Sequence, residues 1–131
     1  MTVPLWCLMI GVILPYVWAF SSLPFRAKQF GSPDLKEPRV QGEQLTGSGA
    51  RAWGSQMNAW EAVIVFGAAT VAAIVAGVSP EGNWSMASMI WVVARASHGG
   101  FYIRGIAPLR ILAFTIGMGM SFWIFAMAIM A

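Results

Sequence analysis

The sequence predicts an all-α membrane protein, a bundle of four transmembrane helices, and three observations carry that prediction. Of its 131 residues, 58% are hydrophobic and only 10% are charged, a balance that sets it apart from soluble domains. Four apolar stretches are each long enough to cross a hydrocarbon core about 30 Å thick as a helix. Most of the charge lies in the connections between them. Backbone in lipid must bond within its own segment or around a closed barrel, and these runs are too long for barrel strands.

The first span covers residues 2–25, carries no charge, and has Pro4 near its start and Pro15 placed to kink it. No Lys or Arg precedes it and no small-residue cleavage site follows, so it reads as a retained span rather than a signal peptide. Residues 26–47 form a polar loop in which Arg26, Lys28, Lys36 and Arg39 alternate with Asp34, Glu37 and Glu43. Gly31, Pro33, Pro38, Gly42 and Gly47 argue against helix through most of it. The second span, 48–78, leads into a tight turn, Ser79 to Asn83, with no basic residue. The third span covers 83–103. A short connection bearing Arg104 follows, and the fourth span, 108–131, opens on Pro108.

Basic residues therefore follow the first and third spans and are missing from the opposite side. That bias places loops 26–47 and 104–107 in the cytoplasm and both termini outside it. The formal charge of +3 reads as topology, because nucleic-acid binding needs a clustered basic face. One cysteine, Cys7, excludes an intrachain disulfide. One histidine without a second His or Cys nearby excludes a good zinc or haem site, so no metal is expected. There is no Gly-rich phosphate loop and no Ser–His–Asp set. Glu61 is the one acid available to a proton or ion path, which argues against a channel.

Glu61 opens seventeen uncharged residues, Ala62 to Val78. A carboxylate there is expensive in lipid and must face protein or a polar cavity. Arg51, Gly54, Asn58 and Glu61 share one helix face, and so do Arg95, His98 and Tyr102 on the third span. Counting from the external ends at ~1.5 Å per residue, Glu61 lies about 25 Å deep, His98 about 21 Å and Tyr102 about 27 Å. Arg95 is deeper, at about 16 Å, with a side chain able to climb toward Glu61. Arg26 closes the first span and Arg110 opens the fourth at the same boundary. A direct Glu61–Arg95 pair acting as interhelical glue explains those two residues. It leaves three further arginines and the His–Tyr pair without a role, whereas a crevice lined with cations is what an anionic ligand requires. Two ladders of small residues, Ala69–Ala73–Gly77 and Ala113–Gly117–Ser121, serve packing within a subunit or a subunit interface equally well.

Order and spacing along the chain resemble the MAPEG family, the membrane-associated proteins in eicosanoid and glutathione metabolism. The residues that carry the resemblance are Leu45-Thr46-Gly47, Arg51-Ala52, Asn58 with Glu61, His98 with Tyr102, and Ala107-Pro108-Leu109-Arg110. Pro38-Arg39 ahead of Leu45 is similar to short bacterial members, which implies an inner-membrane protein. The resemblance implies a homotrimer binding glutathione in a crevice between subunits. By position, Asn58 and Glu61 would hold its polar backbone and amino group, and His98 and Tyr102 would line the crevice. Arg110 would sit near the sulfur as the catalytic cation, Arg26 would be a second cation at the mouth, and Arg95 would brace Glu61. The implied activity is a glutathione transferase or peroxidase acting on a hydrophobic small molecule dissolved in membrane lipid. The chain departs from the family pattern at Gly54, where an arginine is usual, and at Ile111, where some members have a hydroxyl. Arg51, one turn earlier, is the residue placed to compensate. These departures keep open a non-catalytic trimeric scaffold, an accessory subunit of a larger complex, or a lipid- or anion-binding protein.

Overall fold

A computed structural model describes residues 1–131. It contains helices and no strands: α1 (Val3–Ser21), α2 (Leu23–Phe30), α3 (Pro38–Glu43), α4 (Gly47–Val75), α5 (Asn83–Arg104) and α6 (Ala107–Met130). Three elements are long and apolar enough to cross a membrane: Val3–Phe30, α4 and α6.

α5 has 22 residues, about 33 Å at 1.5 Å each, so length is not what separates it from the other three. Its polar residues lower its average. Ser88, Arg95 and His98 all point into the bundle and are buried, while Met86, Met89, Ile90 and Val93 face outward.

α1 and α2 are one rod interrupted at Ser22. Pro24 has no N–H to donate backward, and the Ser21 and Ser22 hydroxyls bond to the carbonyls of Trp18 and Ala19 at 2.7 Å each. At the centre of the bundle Phe66 of α4 stacks on Trp91 of α5, with ring centroids 4.0 Å apart and planes 14° apart. Gly11 of α1 lets that indole in, since a Cβ there would come within 2.8 Å of it. Ile124, Ala69, Ala73, Trp84 and Ala87 complete the core. Lipid tails are as apolar as these side chains, so close packing rather than exclusion from water holds such a core.

The structure differs from the sequence expectations in three places. The second span ends at Val75, not at residue 78. Gly77 adopts φ +74°, and the N–H groups of Gly77 and Val78 return to the carbonyls of Ile74 and Ala73, a Schellman stop. Gly77 therefore leaves its ladder. Ala69 and Ala73, like Ala113 and Ser121, are buried inside the subunit, which assigns both ladders to packing within one chain.

The third difference is the polar loop, which is more ordered than its glycines and prolines suggest. Helix continues to Phe30, and α3 forms within the loop. Buried Arg26 is the reason. Its Nε donates to Ser22 Oγ at 3.1 Å, and its Nη1 donates to the Pro38 carbonyl at 2.7 Å and to Gln41 Oε1 at 3.2 Å. Gln41 in turn accepts from the Asp34 N–H at 2.9 Å and donates to the Ser32 carbonyl at 3.0 Å. A guanidinium has enough donors to hold several turns of chain at once, and here it closes the loop.

Candidate functional site

The site is built from the first half of α4, the second half of α5 and the first turns of α6. Asn58 and Glu61 are one turn apart on α4, and Asn58 Nδ2 donates to Glu61 Oε2 at 3.2 Å. From α5, Arg95 Nη2 donates to Asn58 Oδ1 and, at 3.3 Å, to the Asn58 carbonyl. Arg95 thus reaches Glu61 through Asn58. This corrects the expectation of a direct pair: the amide accepts from the cation with its oxygen and donates to the acid with its nitrogen. Arg95 is buried, its stem lies against Gly117, where a Cβ would come within 2.8 Å of its Cδ, and its guanidinium sits 5.8 Å from the Phe114 ring centre.

Beside this relay lies a cavity of about 250 Å³ lined by Asn58, His98, Tyr102, Arg110, Ile111 and Phe114. One helical turn separates His98 from Tyr102 and places their rings edge to face, with centroids 5.6 Å apart. The Arg110 guanidinium lies 4.5 Å from the centre of the Tyr102 ring, a cation–π contact that holds it against the cavity wall. Gly54 explains the tyrosine's pose: a Cβ there would meet the Tyr102 hydroxyl at 2.7 Å. A larger residue and this tyrosine position exclude one another.

Six of the expected site residues converge: Asn58, Glu61, Arg95, His98, Tyr102 and Arg110. Glu61 stays exposed and joins the cavity through Asn58. Two residues do not join. Arg26 serves the loop and borders a separate cavity of about 480 Å³ together with Trp53 and Trp60. Arg51 does not reach toward Gly54. Its Nε donates to the Ile103 carbonyl at 3.0 Å and its Nη2 to Ser48 Oγ at 2.8 Å, capping the end of α5. The sequence reasoning overlooked Phe114, which packs beside His98 with centroids 6.2 Å apart; its place one turn beyond Arg110 was the available clue.

The model of the MAPEG family matches residues 3–130. The chain belongs to the MAPEG family. Comparison with curated proteins finds no match, so membership rests on a family match over nearly the whole chain. MAPEG membership joins the three apolar elements in making this an integral membrane protein.

Proposed function

We propose that this MAPEG protein is a glutathione-dependent transferase or peroxidase acting on hydrophobic electrophiles. The observation that carries the proposal is Arg110, held 4.5 Å over Tyr102 at the wall of a cavity shared with His98 and Asn58. Those residues fit the ligand's chemistry. Arg110 offers a fixed cation, Asn58 an amide whose partners are already aligned, and Glu61 an acid for an ammonium group.

Glutathione, when bound, supplies a thiol whose ionised form is the nucleophile. A guanidinium beside that sulfur favours the anion and cannot itself lose its proton at working pH. Stacking on Tyr102 limits where Arg110 can point, so the charge is positioned before any ligand arrives. Asn58 and Glu61 orient the peptide end. A substrate dissolved in lipid meets the sulfur from the bilayer, and juxtaposition supplies much of the rate.

In this reading α5 also crosses, giving four spans, with loops 26–47 and 104–107 cytoplasmic and both termini outside. Three copies complete the site. The cavity of about 250 Å³ falls below the ~300–1,000 Å³ common for ligand sites, and an exposed Glu61 on a membrane helix requires cover from a neighbour. The wall containing Arg26 and Trp53 would then face the cavity of the next copy.

Ultraviolet difference spectra on adding glutathione to the purified protein test the proposal. A thiolate band in the native protein that is lost in Arg110→Ala supports it, and no band in either removes the enzyme. Gly54 favours a second reading, a non-catalytic trimeric scaffold or an anion- or lipid-binding protein. That position carries no cation, and Tyr102 closes over it. Binding of glutathione without a thiolate band selects this reading.

A further inference from the structure

On their outer side α5 and α6 line a groove over a floor of small residues. Ala94 and Ala113 are buried there, and a Cβ at Gly117 would stand 3.9 Å from that of Ala94. Ile90, Val93 and Phe101 rise on one side of this floor and Leu112 and Ile116 on the other. The result is a groove of about 520 Å³ whose one polar lining residue is Ser97. A groove of this volume falls within the range of small-molecule sites, and it is open along its outer side, where a lipid chain can enter from the bilayer.

Its chemistry changes at one end. Ile90, Val93, Ser97, Phe101 and Arg104 follow one another at spacings of three or four and so lie on one face of α5. Arg104 is exposed at the last turn, where the helix stops on Gly105. Arg51 satisfies the nearby Ile103 carbonyl, and Arg104 is left to face outward. Arg104 thus follows the apolar slot one turn beyond Phe101 on the same helix face, an order that matches a molecule with a chain at one end and a negative charge at the other.

We infer that the α5–α6 groove is a binding site for an anionic membrane phospholipid, with one acyl chain along Val93 and Phe101 and the phosphate on Arg104. The site lies on the outer side of α5 and α6, apart from the Arg110 cavity, and does not depend on glutathione chemistry. Charge complementarity selects the headgroup, since a basic side chain beside a membrane helix attracts anionic lipid. A chain packed between the two helices also bridges them, so the bound lipid would brace α5 against α6.

Native mass spectrometry of the purified protein, given equal amounts of phosphatidylglycerol and phosphatidylcholine with matched chains, tests this. The native protein should retain phosphatidylglycerol about fivefold better, the factor one interfacial cation provides. Arg104→Gln should bring the two lipids to parity, because it touches only an exposed side chain. Val93→Trp should fill the slot and reduce retention of both. Equal retention by the native protein overturns the inference, and so does a preference that survives Arg104→Gln. A change of oligomeric mass in Val93→Trp without loss of lipid would make the groove a face between copies and overturn it as well.

Discussion

Asn58 occupies the position on which the polar network turns. Its amide joins a buried guanidinium to an exposed carboxylate, so removing it leaves two charges without their shared partner. Asn58→Ala should cost about 1–3 kcal/mol, the range for stranding a buried polar group, measured as a lower thermal midpoint in detergent. Asn58→Asp should keep the bond from Arg95 but lose the donor to Glu61 and set two carboxylates one turn apart, so it should also lower the midpoint. Gly54 makes a different prediction. Gly54→Ala would place a methyl against the Tyr102 hydroxyl, shifting the ring that supports Arg110. A decrease in glutathione-induced thiolate absorbance of about tenfold, for a lost contribution of about 1.4 kcal/mol, checks this while the thermal midpoint stays nearly unchanged.

At the scale of elements, ends and connections decide more than interiors. α5 stops on Gly105, whose φ of +75° lies in the left-handed region, and the Ile106 and Gly105 N–H groups return to the Phe101 and Tyr102 carbonyls. Gly105→Ala should therefore cost on the order of 1 kcal/mol and loosen the contact with Arg51, read as faster amide exchange over residues 101–106. The loop between α2 and α3 has its own pH dependence. The Asp34 carboxylate accepts the N–H groups of Glu37 and Lys36, which hold its pKa below the ordinary carboxylate value. A group depressed in the folded state contributes order above its ordinary pKa and loses it as pH falls through the depressed value. Cleavage within residues 31–37 by an acid-active protease should accordingly increase as pH falls through that range, and Asp34→Asn should show the opened pattern at neutral pH when cut with a protease active there.

Much of the whole molecule was legible from the chain, for identifiable reasons. Apolar run length exposed the helical membrane class because lipid leaves the backbone so few choices. Spacings of three and four gathered Asn58, Glu61, Arg95, His98 and Tyr102, since helical faces are periodic. What escaped was anything set by one side chain's choice among several partners. Arg26 and Arg51 looked like ligand cations by position, but carbonyls of the loop and of α5 lie within their reach. The Arg95–Asn58–Glu61 relay looked like a direct pair because spacing cannot reveal an intervening amide. The proposed assembly belongs to this scale too. A single chain leaves Glu61 exposed on α4, so mild detergent should yield a trimer by mass, and a monomer would contradict the shared site.

α4 is the longest element at 29 residues, about 44 Å against a hydrocarbon core of about 30 Å. Its C-terminal portion from Ala62 is free of charge, so the surplus of roughly 14 Å emerges at the Gly47 end. Asn58 and its cavity consequently lie near the headgroup boundary, within reach of a solute arriving from water and of one arriving from the acyl phase. For the proposed glutathione reaction, reconstitution in thicker lipid should submerge that entrance and slow capture of the water-borne thiol before that of the lipid-borne substrate.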